Sequence, residues 1–183
     1  MLHAVLASLA LGLVMTAGDF LWSALNIRHR VVYGLIHGAV MCLCLAVAIG
    51  VRAGKPGRAA LAGPLIGVIA AASFYALVPV LRWGALFPAW MVFWILFAFL
   101  QQRLYRNERL AAAALRGVIA ALLSGVAFYL VSGIWTNEAR YRSMAVHFAA
   151  WTVAFLPGFF VLFYGVGARG AKGAQGAKGA ARC

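Results

Sequence analysis

Seven side chains carry most of the chemistry this chain offers: Asp19, Trp22, Tyr33, His37, Tyr75, His147 and Trp151. All lie within long apolar stretches, where polarity has to have a reason. Asp19 is the one acid placed well inside such a stretch. A charge at a membrane-helix centre costs about 2.5–3.5 kcal/mol, less near the interface, so it calls for a partner or a task. An intramembrane acid with two imidazoles is the equipment of a proton relay. Asp19, His37 and His147 are also suitable metal-ligand types, and the two histidines are suitable for axial haem ligation. His37, Met41 and Cys44 share a helical face and offer soft ligands to copper. No adjacent ligand motif accompanies any of these sets, so no metal is assigned and the cofactor is unknown. The plainer readings are structural. Asp19 would pair with Arg28 or Arg30, and the histidines would be hydrogen-bonded core residues.

The elements that position these groups are helices. Ser8, Gly12, Thr16, Asp19, Ser23 and Asn26 form one small-and-polar stripe at helical spacing. Lipid would leave such groups unpaired, so the stripe should face other helices. Tyr33, His37, Met41 and Cys44 form a second stripe. Gly34 and Gly38 beside it permit close helix approach. His147 and Trp151 are four residues apart, ahead of Pro157-Gly158. The apolar pattern predicts six spans, near 2–25, 31–51, 59–81, 85–100, 115–133 and 143–164. Trp83, Trp90 and Trp94 would anchor the short fourth span at an interface, with its Phe and Trp stripes against lipid. Arg116, near the end of the fifth, would snorkel. Placed on these spans, Asp19, His37, Tyr75, Tyr129, Trp135 and His147 fall at one depth. The other half reads as mostly Ala, Gly, Leu, Val and Ile.

Composition gives the same class. Hydrophobic residues make up 66% of 183, and mean hydropathy is +0.95. Ordinary soluble domains are about half apolar and a quarter charged. In lipid every backbone polar group must be satisfied within its own span, and the long unalternating runs exclude barrel strands. The expected fold is an all-α polytopic bundle: residues 1–165 form a six-helix membrane domain and 166–183 a flexible Gly/Ala-rich basic tail. The net charge of +13 is scattered between spans, which argues against nucleic acid. It is also biased. Arg52, Lys55, Arg58, Arg103, Arg106, Arg109, Arg116, Arg169, Lys172, Lys178 and Arg182 fall on one side. Arg28, Arg30, Arg82, Arg140 and Arg142 fall on the other. The positive-inside rule then puts both termini in the cytoplasm and the polar cluster toward the outer leaflet of a cell inner membrane.

Other classes lose ground. Met-Leu-His makes a poor signal-peptide start, and the apolar pattern resumes after Asp19. Cys42 and Cys44 point apart on a helix, and Cys183 alone makes no prenylation box. Glycine recurs every third place in the tail, which lacks the proline and the length for a collagen helix. No phosphate loop, zinc-protease motif or nucleophile elbow occurs, so no catalytic residue is assigned and the balance leans away from an enzyme. No internal repeat or motif secures a family. The leading expectation is a binding or accessory membrane protein. It would hold a lipid-like or aromatic amphiphile among the seven residues, within a larger complex or a homo-oligomer. The alternative is a proton-coupled transporter or channel using Asp19 with His37 or His147. The third is an intramembrane enzyme acting on a lipid.

Overall fold

A computed structural model describes residues 1–26, 28–106, 108–132 and 143–164. It contains six helices: α1 (Leu2–Ala24), α2 (Arg30–Arg52), α3 (Pro56–Leu81), α4 (Leu86–Tyr105), α5 (Leu110–Ser132) and α6 (Met144–Phe163). A 3-10 turn, Arg82–Ala85, joins α3 to α4. No strand occurs among the described residues. All six helices are long and apolar enough to cross a membrane, the shortest having 20 residues, or roughly 30 Å of rise. Residues 166–183, read above as a tail, lie outside the described residues, as do Trp135, Glu138, Arg140 and Arg142.

The helices run alternately up and down. Around the bundle α2 packs on α3, α3 on α4, α4 on α5, α5 on α6 and α6 on α1, while α1 and α2 meet sparsely. The closest packing is between α2 and α3. A Cβ on Gly67 would strike the carbonyl of Gly38, and one on Gly63 would lie 2.6 Å from the carbonyl of Cys42. Small residues let these two backbones meet, as the Gly34/Gly38 spacing predicts.

The fourth helix corrects the sequence reading. Trp90, Phe93, Trp94 and Phe97 do not face lipid; all are buried, Trp94 and Phe97 completely. Their spacing places them on one stripe of α4, and their neighbours on α5 and α6 are small. Gly158 abuts Trp94, and Ala120, Ala121 and Ser124 are buried in the same bundle. Large rings on one helix fill the hollow left by small residues on two others. Trp94 therefore serves as core and not as an interfacial anchor. The helix also continues past the expected end at 100 to Tyr105, and α5 begins at Leu110, five residues earlier than residue 115.

Arg116 is the second correction. It does not snorkel. It ion-pairs with Glu108, with both side chains 13% exposed, and donates to the carbonyl of Leu162 at 3.0 Å. Nearby Lys55 donates to the carbonyl of Leu104 at 2.6 Å, and Gln102 to that of Glu108 at 3.0 Å. The last carbonyls of a helix have no intrahelical donor, and cations supply one. This end of the bundle, where α1 starts and α6 finishes and where the sequence reads as mostly Ala, Gly, Leu, Val and Ile, is thus tied by charged caps. The opposite end, where α1 finishes, is the distal end below.

Candidate functional site

A cavity of about 850 Å³ opens among the distal halves of the helices. All seven sequence candidates line it. One wall comes from α2 and α3, the other from α1, α4 and α6, with Phe128 of α5 behind them. The sparse seam between α1 and α2 borders it.

Asp19 lies five residues before the end of α1, about 8 Å in from the distal end at 1.5 Å per residue. Its stripe behaves as expected deeper in the bundle, where Ser8, Gly12 and Thr16 are buried against other helices. Ser23 and Asn26 are exposed at the cavity's edge. Asp19 does not pair with Arg28 or Arg30 in the described residues. Its Oδ2 instead meets His147 Nε2 at 2.7 Å and accepts from Trp151 Nε1 at 3.1 Å, both from α6. Trp151 Nε1 also lies 3.0 Å from His147 Nε2. One turn of α6 separates the two partners, so both rings reach the same oxygen. A 2.7 Å N···O contact needs a proton between the atoms. Either the imidazole donates from Nε2 to a carboxylate, or a carboxylic acid donates to the imidazole. In the first arrangement the indole N–H, which can only donate, also serves the carboxylate. Phe20 meets the His147 ring edge-on at 5.7 Å between centroids. His147 is thus a hydrogen-bonded histidine whose partner is the acid of α1.

The α2 face builds a column of rings. Trp22 stacks on Tyr33, and Tyr33 on His37, each pair with centroids 5.8 Å apart. Tyr33 donates to the carbonyl of Gly18 at 2.5 Å, and His37 Nε2 lies 3.3 Å from Met15 Sδ. A Cβ on Gly18 would overlap the His37 ring, so the ring could keep this position only against glycine. These contacts bridge the α1–α2 seam. On the other side Tyr75 donates to the carbonyl of Arg30 at 2.9 Å, its ring lying over Gly34. Arg30 places its guanidinium 5.8 Å from the Trp22 ring centre, at the rim.

Farther in, the cavity is apolar and aromatic. Trp90, Trp151 and Phe155 pack together, with Trp90–Phe155 and Trp151–Phe155 centroids both 5.6 Å apart. Phe128 stacks on Trp151 at 4.8 Å. Met41 and Cys42 border the inner end. Cys44, grouped with His37 and Met41 by spacing, points out of the bundle instead, and Cys42 turns inward. The copper set read from the sequence is therefore not assembled. Among the described residues no three His, Cys, Asp or Glu side chains converge as a metal site would require.

Sequence reasoning missed Met15, Arg30, Trp90, Phe128 and Phe155 as lining residues. A signal existed for two of them. Met15 stands four before Asp19 and Phe155 four after Trp151, each on its partner's face. Trp90 and Phe128 become visible only when α4 and α5 are placed. No protein-family profile, curated protein or solved structure matches this chain.

Proposed function

We propose that this chain is a multi-pass membrane protein that holds a lipid-like or aromatic amphiphile in the distal cavity. One observation carries the reading. A space of about 850 Å³ has aromatic and aliphatic inner walls and gathers its polar groups at one end. Ligand pockets of this size pair apolar walls, which give affinity, with a few placed polar groups, which give orientation. Asp19, Tyr33, His37, Tyr75 and His147 are those groups, while Trp22 and Trp151 join both parts of the wall. The excess of Lys and Arg at the opposite end favours cytoplasmic termini and an outward-facing cavity in a cell inner membrane.

Transport is the second reading, favoured by the Asp19–His147 pair that joins α1 to α6. Binding is preferred because Trp94, Phe97, Phe159 and Leu162, all 0% exposed, fill the bundle beyond the cavity. An accessory role in a larger complex, or a homo-oligomer, is compatible with the same cavity.

Native mass spectrometry of protein purified in mild detergent tests the proposal. The expected result is a retained small molecule that Asp19→Asn or His37→Ala releases. Bare chain under conditions that preserve other lipid adducts would remove the support for a resident amphiphile. A co-purified protein would favour the accessory role.

A further inference from the structure

We infer that the ligand of this cavity carries a cationic head, an ammonium group, seated on Asp19 with its apolar body against Trp90, Trp151 and Phe155. This rests on the amphiphile reading above and adds the chemistry of the head.

The first ground is the arrangement of donors on Asp19. His147 Nε2 and Trp151 Nε1 both reach Oδ2, and the other oxygen receives no hydrogen bond from any described residue. The side chain remains 34% exposed where it lines the cavity. Two N–H donors hold the carboxylate in place without filling its acceptor capacity, which is about four lone-pair sites. With the imidazole neutral and donating from Nε2, the group keeps one negative charge. An ammonium beside it would gain from that charge in surroundings of low dielectric.

The second ground is the ring content. Trp22 lines the carboxylate's end of the cavity, and the face of a Trp ring attracts cations; Tyr33 and Trp151 already have their faces stacked on neighbouring rings. Arg30 already shows this attraction, with its guanidinium 5.8 Å from the Trp22 ring centre. The remaining titratable groups on the lining do not reverse the sign. Tyr33 and Tyr75 donate their hydroxyl protons to backbone carbonyls, His37 lies against Met15 sulfur, and Cys42 borders the inner end. Among the described residues Arg30 is the one Lys or Arg in the lining, and it stands at the rim. An anionic head would be drawn to that rim, away from the inner aromatic wall, whereas an ammonium on Asp19 leaves its body reaching inward.

Three probes sharing one naphthylethyl body, with an ammonium, a hydroxyl or a carboxylate head, separate these outcomes. Equilibrium dialysis would use full-length protein in phosphatidylcholine nanodiscs, with empty nanodiscs as the partition control. The ammonium probe should bind at least tenfold more tightly than the alcohol. In Asp19→Asn that preference should fall to within twofold, with the alcohol's affinity kept. Arg30→Gln, a change at the exposed rim, should strengthen ammonium binding or leave it unchanged, and it serves if Asp19→Asn fails to fold. Equal binding of alcohol and ammonium, or tighter binding of the carboxylate, overturns the cationic head while leaving an amphiphile cavity. So does an ammonium preference that survives in folded Asp19→Asn, or one that Arg30→Gln weakens. Binding of none of the three by folded protein overturns the cavity reading and this inference with it.

Discussion

Asp19 is the residue on which the distal end turns. Its carboxyl joins α1 to α6 through hydrogen bonds with His147 and Trp151, one helical turn apart. Hydrogen bonds between membrane helices contribute less than a dry interior would suggest, averaging about 0.6 kcal/mol and reaching about 1.7. A double-mutant cycle of Asp19→Ala and His147→Ala, read by unfolding in detergent, should return a coupling of about 1 kcal/mol within that range. Coupling indistinguishable from zero would mean that the pair does not join the helices in solution. The charged pair at the other end should matter more to stability. Glu108 and Arg116 are both largely buried, and Arg116 also caps α6. Removing one partner of a fully buried pair costs about 3–5 kcal/mol, and slight exposure lowers this, so Arg116→Leu should destabilise by about 2–3 kcal/mol. The same unfolding measurement checks it. An Arg116→Leu protein as stable as wild type would show that the carbonyl of Leu162 finds another donor. Asp19→Asn should release ligand at smaller cost in stability, because the amide retains an acceptor for Trp151.

At the scale of elements, the bundle has one tight seam and one loose one. The tight seam joins α2 to α3, where Gly67 lies against the backbone of Gly38. Overpacking a close interface costs about 1–3 kcal/mol, and a backbone carbonyl cannot turn aside as a flexible side chain can. Gly67→Leu should therefore lower the thermal midpoint by several degrees, and Gly57→Leu, where a Cβ meets nothing within 4 Å, should not. Similar losses at both sites would contradict the close approach. The loose seam lies between α1 and α2. There Tyr33, reaching the carbonyl of Gly18, and His37, beside Met15, are the described polar contacts. This is the route the proposed amphiphile would take from the bilayer. Tyr33→Phe keeps the ring column but removes the strap to α1. Ligand association and dissociation should both speed up several-fold, with affinity changed by less than threefold. Stopped-flow measurement with a fluorescent amphiphile would show it, and unchanged rates would place the route elsewhere.

As a whole molecule, the protein is a wall of four helices, α1, α6, α5 and α4, closed by the α2–α3 hairpin. The cavity sits where the two parts meet at the distal end. The even number of crossings brings the start of α1 and the end of α6 to the same side. The contact of Arg52 with the Phe163 ring, at 5.9 Å, agrees with that placement. Cysteines introduced at Gly54 and Asn26, in a background without native cysteines, should label from opposite faces of the membrane, Gly54 only from the cytoplasm. Labelling of both from one face would overturn the topology. A ligand that binds only the folded bundle should also stabilise all of it, by about 2.7 kcal/mol at one hundred times its dissociation constant.

Sequence alone determined the class and most of the framework. Runs of apolar residues with helical stripes can be satisfied in lipid only by helices, so six spans and their approximate bounds were legible. Placing Asp19, His37, Tyr75 and His147 at one depth required only their distance from the span ends. Rotation and adjacency of the helices were not legible, because a stripe reveals that a face is special without revealing what meets it. Thus the Trp and Phe residues of α4 suit lipid or core equally by hydropathy, and the small residues of α5 and α6 draw them inward. Asp19 had arginines near it in sequence, yet the partner that reached it was His147, on a helix 128 positions away along the chain. Cys44 shared a helical stripe with His37 in the sequence pattern, and the close packing of α2 on α3 turned Cys42 inward instead. Periodicity is local and survives in a linear string, whereas the pairing of faces depends on the shapes of all six helices at once.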